Sequence, residues 1–479
     1  MPVDQGIGTR GRRILVALAA VVLTATAGCT LGPNYKRPSV TAPTAYRGLS
    51  PEAAGTTSTA SLADQKWWEV FQDNQLQDLI RTALSNNYDV RIAASRVLQA
   101  QGQLGITRAD QYPTLNVGGT GLNQRSPAIG PIPTYTTTYG QVTASSAWNL
   151  DFWGKYRRAT EGARANLLAS DWARQQVVST LVGSVASSYF QLRELDLALE
   201  ISKNTLASRK ESLELTTQLT EHGIDTMLDQ RQTEELVYTA AAQIPDLERQ
   251  IEQQENAISL LLGNNPGPVP RGLNLTEQPH APEVPAGLPA SLLERRPDIR
   301  QAEARLIAAN AQIGVARAAY FPQISLTGSA GFESVALTSL FSGPAGLWSL
   351  AGSVTEPIFQ GGRIKSGVRL AEAQQQEALL TYQQTIQGAF RDVSNALIAY
   401  RKNREFRIEQ ERLTASAQDA ARLSEMRFRA GATDYLEVLT NETNHFTDEL
   451  TLVQAQFNEL QALVQLYQAL GGGWSESPR

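Results

Sequence analysis

The one side chain placed for covalent chemistry is Cys29, the only cysteine in 479 residues. With no second thiol, the chain forms no internal disulfide. His222, His280 and His445 lie far apart in the sequence, and none has a metal-ligand spacing such as H-x-x-x-H. There is no Walker A loop, no G-x-S-x-G, no H-E-x-x-H and no Cys/His nucleophile pair. Carboxylates are plentiful but fall along helix-forming stretches at solvated positions. These residues predict neither catalysis nor a metal or other cofactor. The net charge is −5 and no basic patch interleaves with aromatics, so nucleic acid is excluded as a partner.

The residues around Cys29 define its chemistry. Arg10, Arg12 and Arg13 form a positive start, Ile14–Leu23 is an apolar run, and Thr26-Ala27-Gly28 leads into Cys29. This is the layout of a secretory leader, too short for a membrane-spanning helix of about 20 apolar residues. The end of the run resembles a bacterial lipobox, with Thr26 where leucine is usual. Cys29 is then the acylated first residue of the mature chain. Thr30 follows it, where lipoproteins retained in the inner membrane usually carry Asp, so the outer membrane is the expected destination. Several acyl chains on one residue anchor stably where a single chain is marginal.

The remainder is written twice. Residues 91–121 align without gaps on residues 300–330, pairing Gly105 with Gly314, Arg108-Ala109 with Arg317-Ala318 and Pro113 with Pro322. Gly223 with Gly431 and Leu262-Gly263 with Leu470-Gly471 continue the match. An internal two-fold repeat of about 208 residues is too long for a solenoid unit and marks a duplicated half-molecule.

Each copy opens with a helix that a proline ends, then alternates with period two. In the second copy Ile324, Leu326, Gly328, Ala330 and Phe332 share one face, and Gln323, Ser325, Thr327 and Ser329 the other. That is the pattern of a barrel strand with lipid on one side and water on the other. A Pro/Gly-rich turn and a second alternating segment complete a hairpin. That second segment is expected over Tyr135–Phe152 in one copy and Leu347–Phe359 in the other. Long proline-free stretches follow, Lys155–Glu221 and Arg363–Ala430, each long enough for about 100 Å of helix. Helices this long imply a coiled coil or helical barrel. Pro245 predicts a kink in the first return helix.

The expected organisation is a leader at 1–28, a lipidated extended segment at 29–63, and a first repeat at 64–262. That repeat holds a hairpin at 112–153 and a long helical pair at 155–262. A linker at 263–289 leads to the second repeat at 290–471, with a hairpin at 321–361 and a helical pair at 363–470. A tail covers 472–479. Four strands per chain do not close around a lumen, and open edges are not tolerated in lipid. Three chains supply twelve, an even number in the range of outer-membrane barrels. The predicted fold is therefore an α+β membrane protein, a trimeric 12-stranded β-barrel continuing into a long α-helical periplasmic barrel.

These segments carry a specific resemblance. Cys29-Thr30-Leu31-Gly32-Pro33-Asn34-Tyr35-Lys36-Arg37-Pro38, Trp67-Trp68 with Phe71, and Leu293-Glu294-Arg295-Arg296-Pro297-Asp298-Ile299 are its main carriers. Gly314-Val315-Ala316-Arg317, Phe321-Pro322 and Ala469-Leu470-Gly471-Gly472-Gly473-Trp474 add to it. The chain resembles the outer-membrane efflux factor family, of the TolC, OprM and NodT kind, over nearly its whole length after Cys29. The resemblance implies a homotrimer that is a passive conduit, joined by a periplasmic adaptor to an inner-membrane transporter of the RND type. It also implies a constriction at the periplasmic tip of the second copy. Leu436 falls where relatives have an apolar ring, and Glu437 and Thr440 where they have acidic rings, with Asp434 beside them. Thr440 departs from that pattern. Asp225, Asp229 and Arg231 hold related positions in the first copy and are candidates for pairs that hold the tip shut. Two other readings share these features: a type I protein-secretion channel, and a lipid-anchored periplasmic coiled-coil scaffold, which has no need of the alternating segments.

Overall fold

The computed structural model describes residues 30–47, 61–279, 287 and 289–474. The expected leader, and Cys29 itself, lie outside the described residues. Described α-helices are α1 (Trp67–Val70), α2 (Asn74–Asn86), α3 (Tyr88–Ala109), α4 (Lys155–Glu221), α5 (Met227–Leu261), α6 (Leu292–Arg295), α7 (Pro297–Ala318), α8 (Arg363–Arg429) and α9 (Tyr435–Ala469). The strands are β1 (Thr114–Ser126), β2 (Tyr135–Leu150), β3 (Gln323–Ser334) and β4 (Gly346–Thr355). Both halves of the chain run helix, strand, strand, long helix, return helix. Matching helices have equal lengths: 22 residues for α3 and α7, 67 for α4 and α8, 35 for α5 and α9.

Local chemistry sets the ends of the long helices. Gly223 and Gly431 take φ of 72° and 69°, a left-handed conformation that costs glycine nothing extra. The next amides then turn back, Ile224 N to Leu219 O and Ala432 N to Arg427 O, both at 2.9 Å, which satisfies carbonyls left open by the last turn. Thr226 restarts the chain in a capping box with Asp229. Helix α5 continues unbroken through Pro245, leaving the Ala241 carbonyl without its donor four residues on.

The strands stop earlier than the alternation suggests. β2 ends at Leu150 because the Asp151 carboxylate accepts the Arg157 backbone N–H at 2.8 Å and turns the chain into α4. β4 ends at Thr355, two residues before Pro357, which has no N–H for a ladder.

The chain forms two compact units, each drawing on both halves of the sequence: residues 1–39, 97–170 and 302–382, and residues 40–96, 171–301 and 383–479. The first holds one antiparallel sheet in the order β1-β2-β3-β4. Its register groups side chains by polarity. Val117, Ala144, Ala330 and Trp348 form one row across all four strands, and Asn116, Ser145, Ser329 and Ser349 the neighbouring row. Successive residues point to opposite faces, so one face is apolar and the other hydroxyl-rich. Hydroxyl pairs lace the polar face, Ser325 with Ser353 at 2.7 Å and Ser329 with Ser349 at 2.8 Å.

The second unit has an aromatic core. Phe71 packs edge-on against Phe190 and Tyr467, with centroids 6.2 and 6.0 Å apart, beside the buried Trp67, Leu76 and Ile80. At its centre the buried Asp73 caps α2 by accepting from Gln75 N and Leu76 N. Its other oxygen accepts from Tyr189 Oη at 2.8 Å, and from Leu273 N and Gln278 Nε2 at 3.0 Å each. Arg271 reaches both Asp196 and Glu255. The stretch after α5 is therefore fastened to α4 and α5 by half-buried charge, though its composition reads as a plain linker.

Candidate functional site

Two features of the chain are left unsatisfied by its own folding. One is the sheet. Trp348 is 80% exposed, and Leu115, Val117, Leu350 and Val354 on the same apolar face are exposed as well. β1 and β4 have no partner strand on their outer edges among the described residues. A large bare apolar face marks a surface meant for lipid or for another protein. No helix among the described residues is long and apolar enough to cross a membrane.

The other is the turn between α8 and α9. Phe428 packs edge-on against the buried Tyr435 at 5.3 Å and fixes the angle of the turn. Burial pushes the Tyr435 hydroxyl up to about 12. Leu436, next along, is 56% exposed. Glu437 does not stand free. Arg427 Nη1 donates to its Oε1 at 2.8 Å, and the Thr433 hydroxyl donates to its other oxygen. This stitches the last turn of α8 to the first turn of α9. Asp434 occupies the N-cap position of α9 with no side-chain capping bond. The Thr440 hydroxyl donates to the Leu436 carbonyl of its own helix at 2.8 Å.

Among the described residues, Asp225 and Asp229 lie near each other, and neither pairs with Arg231. Asp229 accepts from the Thr226 amide and hydroxyl at 3.1 and 2.6 Å, and so works as a cap. Arg231 pairs with Glu234 at 2.6 Å on the same helix. Asp225 has its carboxyl pushed up, first by burial and then by the negative Asp229.

Sequence reasoning missed two parts of this region. The Arg427 stitch is one, although a cation in the last helical turn ten residues before an acid across a glycine turn is a signal of sorts. The other is Arg209. Its Nη1 donates to the Leu236 carbonyl at 2.8 Å, and its guanidinium lies 4.9 Å from the Phe446 ring centroid. It also faces Glu442, whose carboxyl burial pushes up while Arg209 pulls it down. One buried cation thus touches α5 and α9 from α4. Nothing distinguishes Arg209 from the other charges of a 67-residue helix until the fold is known.

A four-stranded sheet with a bare apolar face, set in a chain with 67-residue helices, defines the class: an outer-membrane β-sheet protein with a long helical body. The family model for the outer membrane efflux protein matches twice, over residues 79–264 and 288–472. The chain is 37% identical over 469 residues to the probable efflux pump outer membrane protein TtgC of Pseudomonas putida, covering 96% of this chain and 95% of that one. It is 34% identical to the cation efflux system protein CusC of Escherichia coli, covering 97% and 99%. Among solved structures, the open state of the Neisseria gonorrhoeae MtrE outer membrane channel superposes with a TM-score of 0.85 at 32% identity, covering 93% of this chain and 99% of that one. The chain belongs to the outer membrane efflux protein family, and it serves as the outer-membrane component of an efflux pump.

Proposed function

We propose that three copies close a twelve-stranded barrel, four strands each, and that the assembly passively conducts small toxic molecules out of the cell. The observation that carries this reading is the sheet, with its matched apolar row and two unpaired edges. In hydrocarbon every backbone N–H and C=O needs a partner, so β1 of one chain pairs with β4 of the next until the ring closes. Strands of 10 to 16 residues suffice to cross the hydrocarbon. A lipid-anchored coiled-coil scaffold has no use for such a sheet.

The internal sequence repeat of about 208 residues gives each chain two hairpins, so three chains present six hairpins around the ring. A periplasmic adaptor and an RND-type inner-membrane transporter supply the cargo and the energy. Toluene, antibiotics and cations appear in the names of relatives. Drug-like and solvent-like compounds are the class proposed here. Acylation of Cys29 adds an anchor in the outer membrane.

The turn at Arg427–Thr440 is the proposed gate. Three-fold symmetry repeats Leu436 as an apolar ring, which blocks ions by dewetting, with Glu437 beside it. Asp434 lies within the same ring of turns, and Asp225, Asp229 and Arg231 face neighbouring chains. Thr440 leaves a second acidic ring unmade. Single-channel currents in planar bilayers test this. Wild type gives rare, small steps, and the Leu436→Ala, Glu437→Ala double variant gives larger ones with altered cation preference. Identical steps from both place the gate elsewhere. Silence from protein shown to be inserted sinks the conduit.

A further inference from the structure

The mature N-terminal segment is not a loose tether in this structure. Arg158, in the first turn of α4, has a side chain only 5% exposed and spends its guanidinium on the strap that begins at Thr30. Its Nε donates to Leu31 O at 3.1 Å, and its Nη2 to Asn34 Oδ1 at 2.7 Å and to Gly32 O at 3.4 Å. Glu161 neutralises it at 2.8 Å. On α7, Asn310 Nδ2 donates to Pro33 O at 2.9 Å, and the buried Glu303 accepts from Tyr35 and Arg37 at 3.2 Å each. Gly32 and Gly314 meet backbone to backbone. A Cβ on Gly32 would sit 2.6 Å from Gly314 Cα, and one on Gly314 would sit 2.6 Å from Leu31 O.

The clasp lies at the foot of the sheet. Leu31 N donates to Trp153 O at 3.1 Å, three residues after β2 ends. Trp153 stacks on Phe321 at 4.9 Å and donates to Pro322 O at 2.8 Å, immediately before β3 begins.

The duplication supplies an internal comparison. Aligned on the second copy, Glu303 corresponds to Ala94, Asn310 to Gln101 and Gly314 to Gly105, and Arg158 corresponds to Ser366. Gly105 has open space where Gly314 is in close contact. Each chain has one N-terminus, and only one copy carries the residues that grip it.

We propose that Thr30–Arg37 and the receptor built by Arg158, Glu303, Asn310 and Gly314 are a positioning clasp for the lipid anchor. It holds the segment that directly follows the acylated residue at the foot of β2 and β3, so that acyl chains and strands enter the same leaflet together. The clasp guides insertion and ring closure. It rests on the reading of Cys29 as the acylated residue.

The test uses full-length protein made in cells with its own leader. Gly32→Ala with Asn34→Ala alters only the strap, Arg158→Leu alters the receptor, and Gly105→Ala is the control in the unengaged copy. Three readouts are taken: the mass of the N-terminal peptide, the rate of trypsin cleavage after Lys36 in otherwise intact protein, and the yield of trimer in the outer membrane. The clasp variants stay acylated, are cut after Lys36 about tenfold faster, and yield at least about threefold less trimer, whereas Gly105→Ala matches wild type. Faster cutting with undiminished trimer overturns the positioning role, as does wild-type behaviour on both counts. A wild-type N-terminal peptide without acyl groups overturns the anchor role itself. That result is separable, because the cleavage and trimer readouts still report on the clasp.

Discussion

Glu437 shows how little of a side chain's role is written in its type. Its sequence position suggests a bare carboxylate lining a pore, but in the fold it is held by Arg427 and Thr433. In the proposed trimer, a ring of three such acids is offset by three cations. Arg427→Ala removes that offset, and the account predicts a clear rise in cation over anion permeability in bilayers. Thermal stability moves by less than about 1 kcal/mol, because an exposed ion pair contributes little. Unchanged ion preference argues against Glu437 facing the lumen.

Glu194 makes the complementary case of a group with no partner among the described residues to steady its charge. Burial alone raises its carboxyl to about 7 from an ordinary 4.5. The folded state then holds a proton that the unfolded state releases, so stability is greatest at acid pH. It falls as pH rises from about 4.5 to 7, and is flat beyond. Glu194→Gln removes that slope and is more stable at pH 8, by something on the order of 2 kcal/mol, converging with wild type near pH 4. Melting curves across pH check it, and parallel curves for the two proteins count against it.

Elements were the most legible scale. The first long helix is Lys155–Glu221 by composition and in the fold, because proline-free Ala/Leu/Gln/Glu-rich sequence has nowhere to stop before the glycine turn. Strand ends were less legible: Asp151 and Pro357 end the ladder through a side-chain bond and a missing donor, neither of which disturbs the alternation. Least legible was the stretch after α5. Its grip comes from Asp73, whose N-cap role is local but whose bond to Leu273 spans 200 residues. Asp73→Asn puts an amide donor where three donors converge on one oxygen. It should cost about 3 kcal/mol and loosen residues 263–278, visible as faster amide exchange there. Exchange unchanged from wild type contradicts the fastening. The N-terminal strap was unreadable for a different reason. Extended segments have no periodicity, and their partners Arg158, Glu303 and Asn310 are scattered along the sequence.

At the scale of the whole molecule, the two halves of the chain do not form two separate domains. Both compact units take segments from both halves, and the sheet joins the two hairpins side by side into one four-stranded layer. That layer is complete in its register and incomplete at its edges. Everything proposed about conduction depends on how those edges are satisfied. The most direct measurement is disulfide trapping between them. Single cysteines are placed along β1 and β4, with Cys29 left in place, and pairs are oxidised in isolated outer membranes. Ring closure predicts that β1/β4 pairs in register give covalent dimers and trimers and nothing larger, while β1 or β4 cysteines alone give no cross-link. Ladders beyond three chains, or cross-links only within one chain, contradict the twelve-stranded barrel.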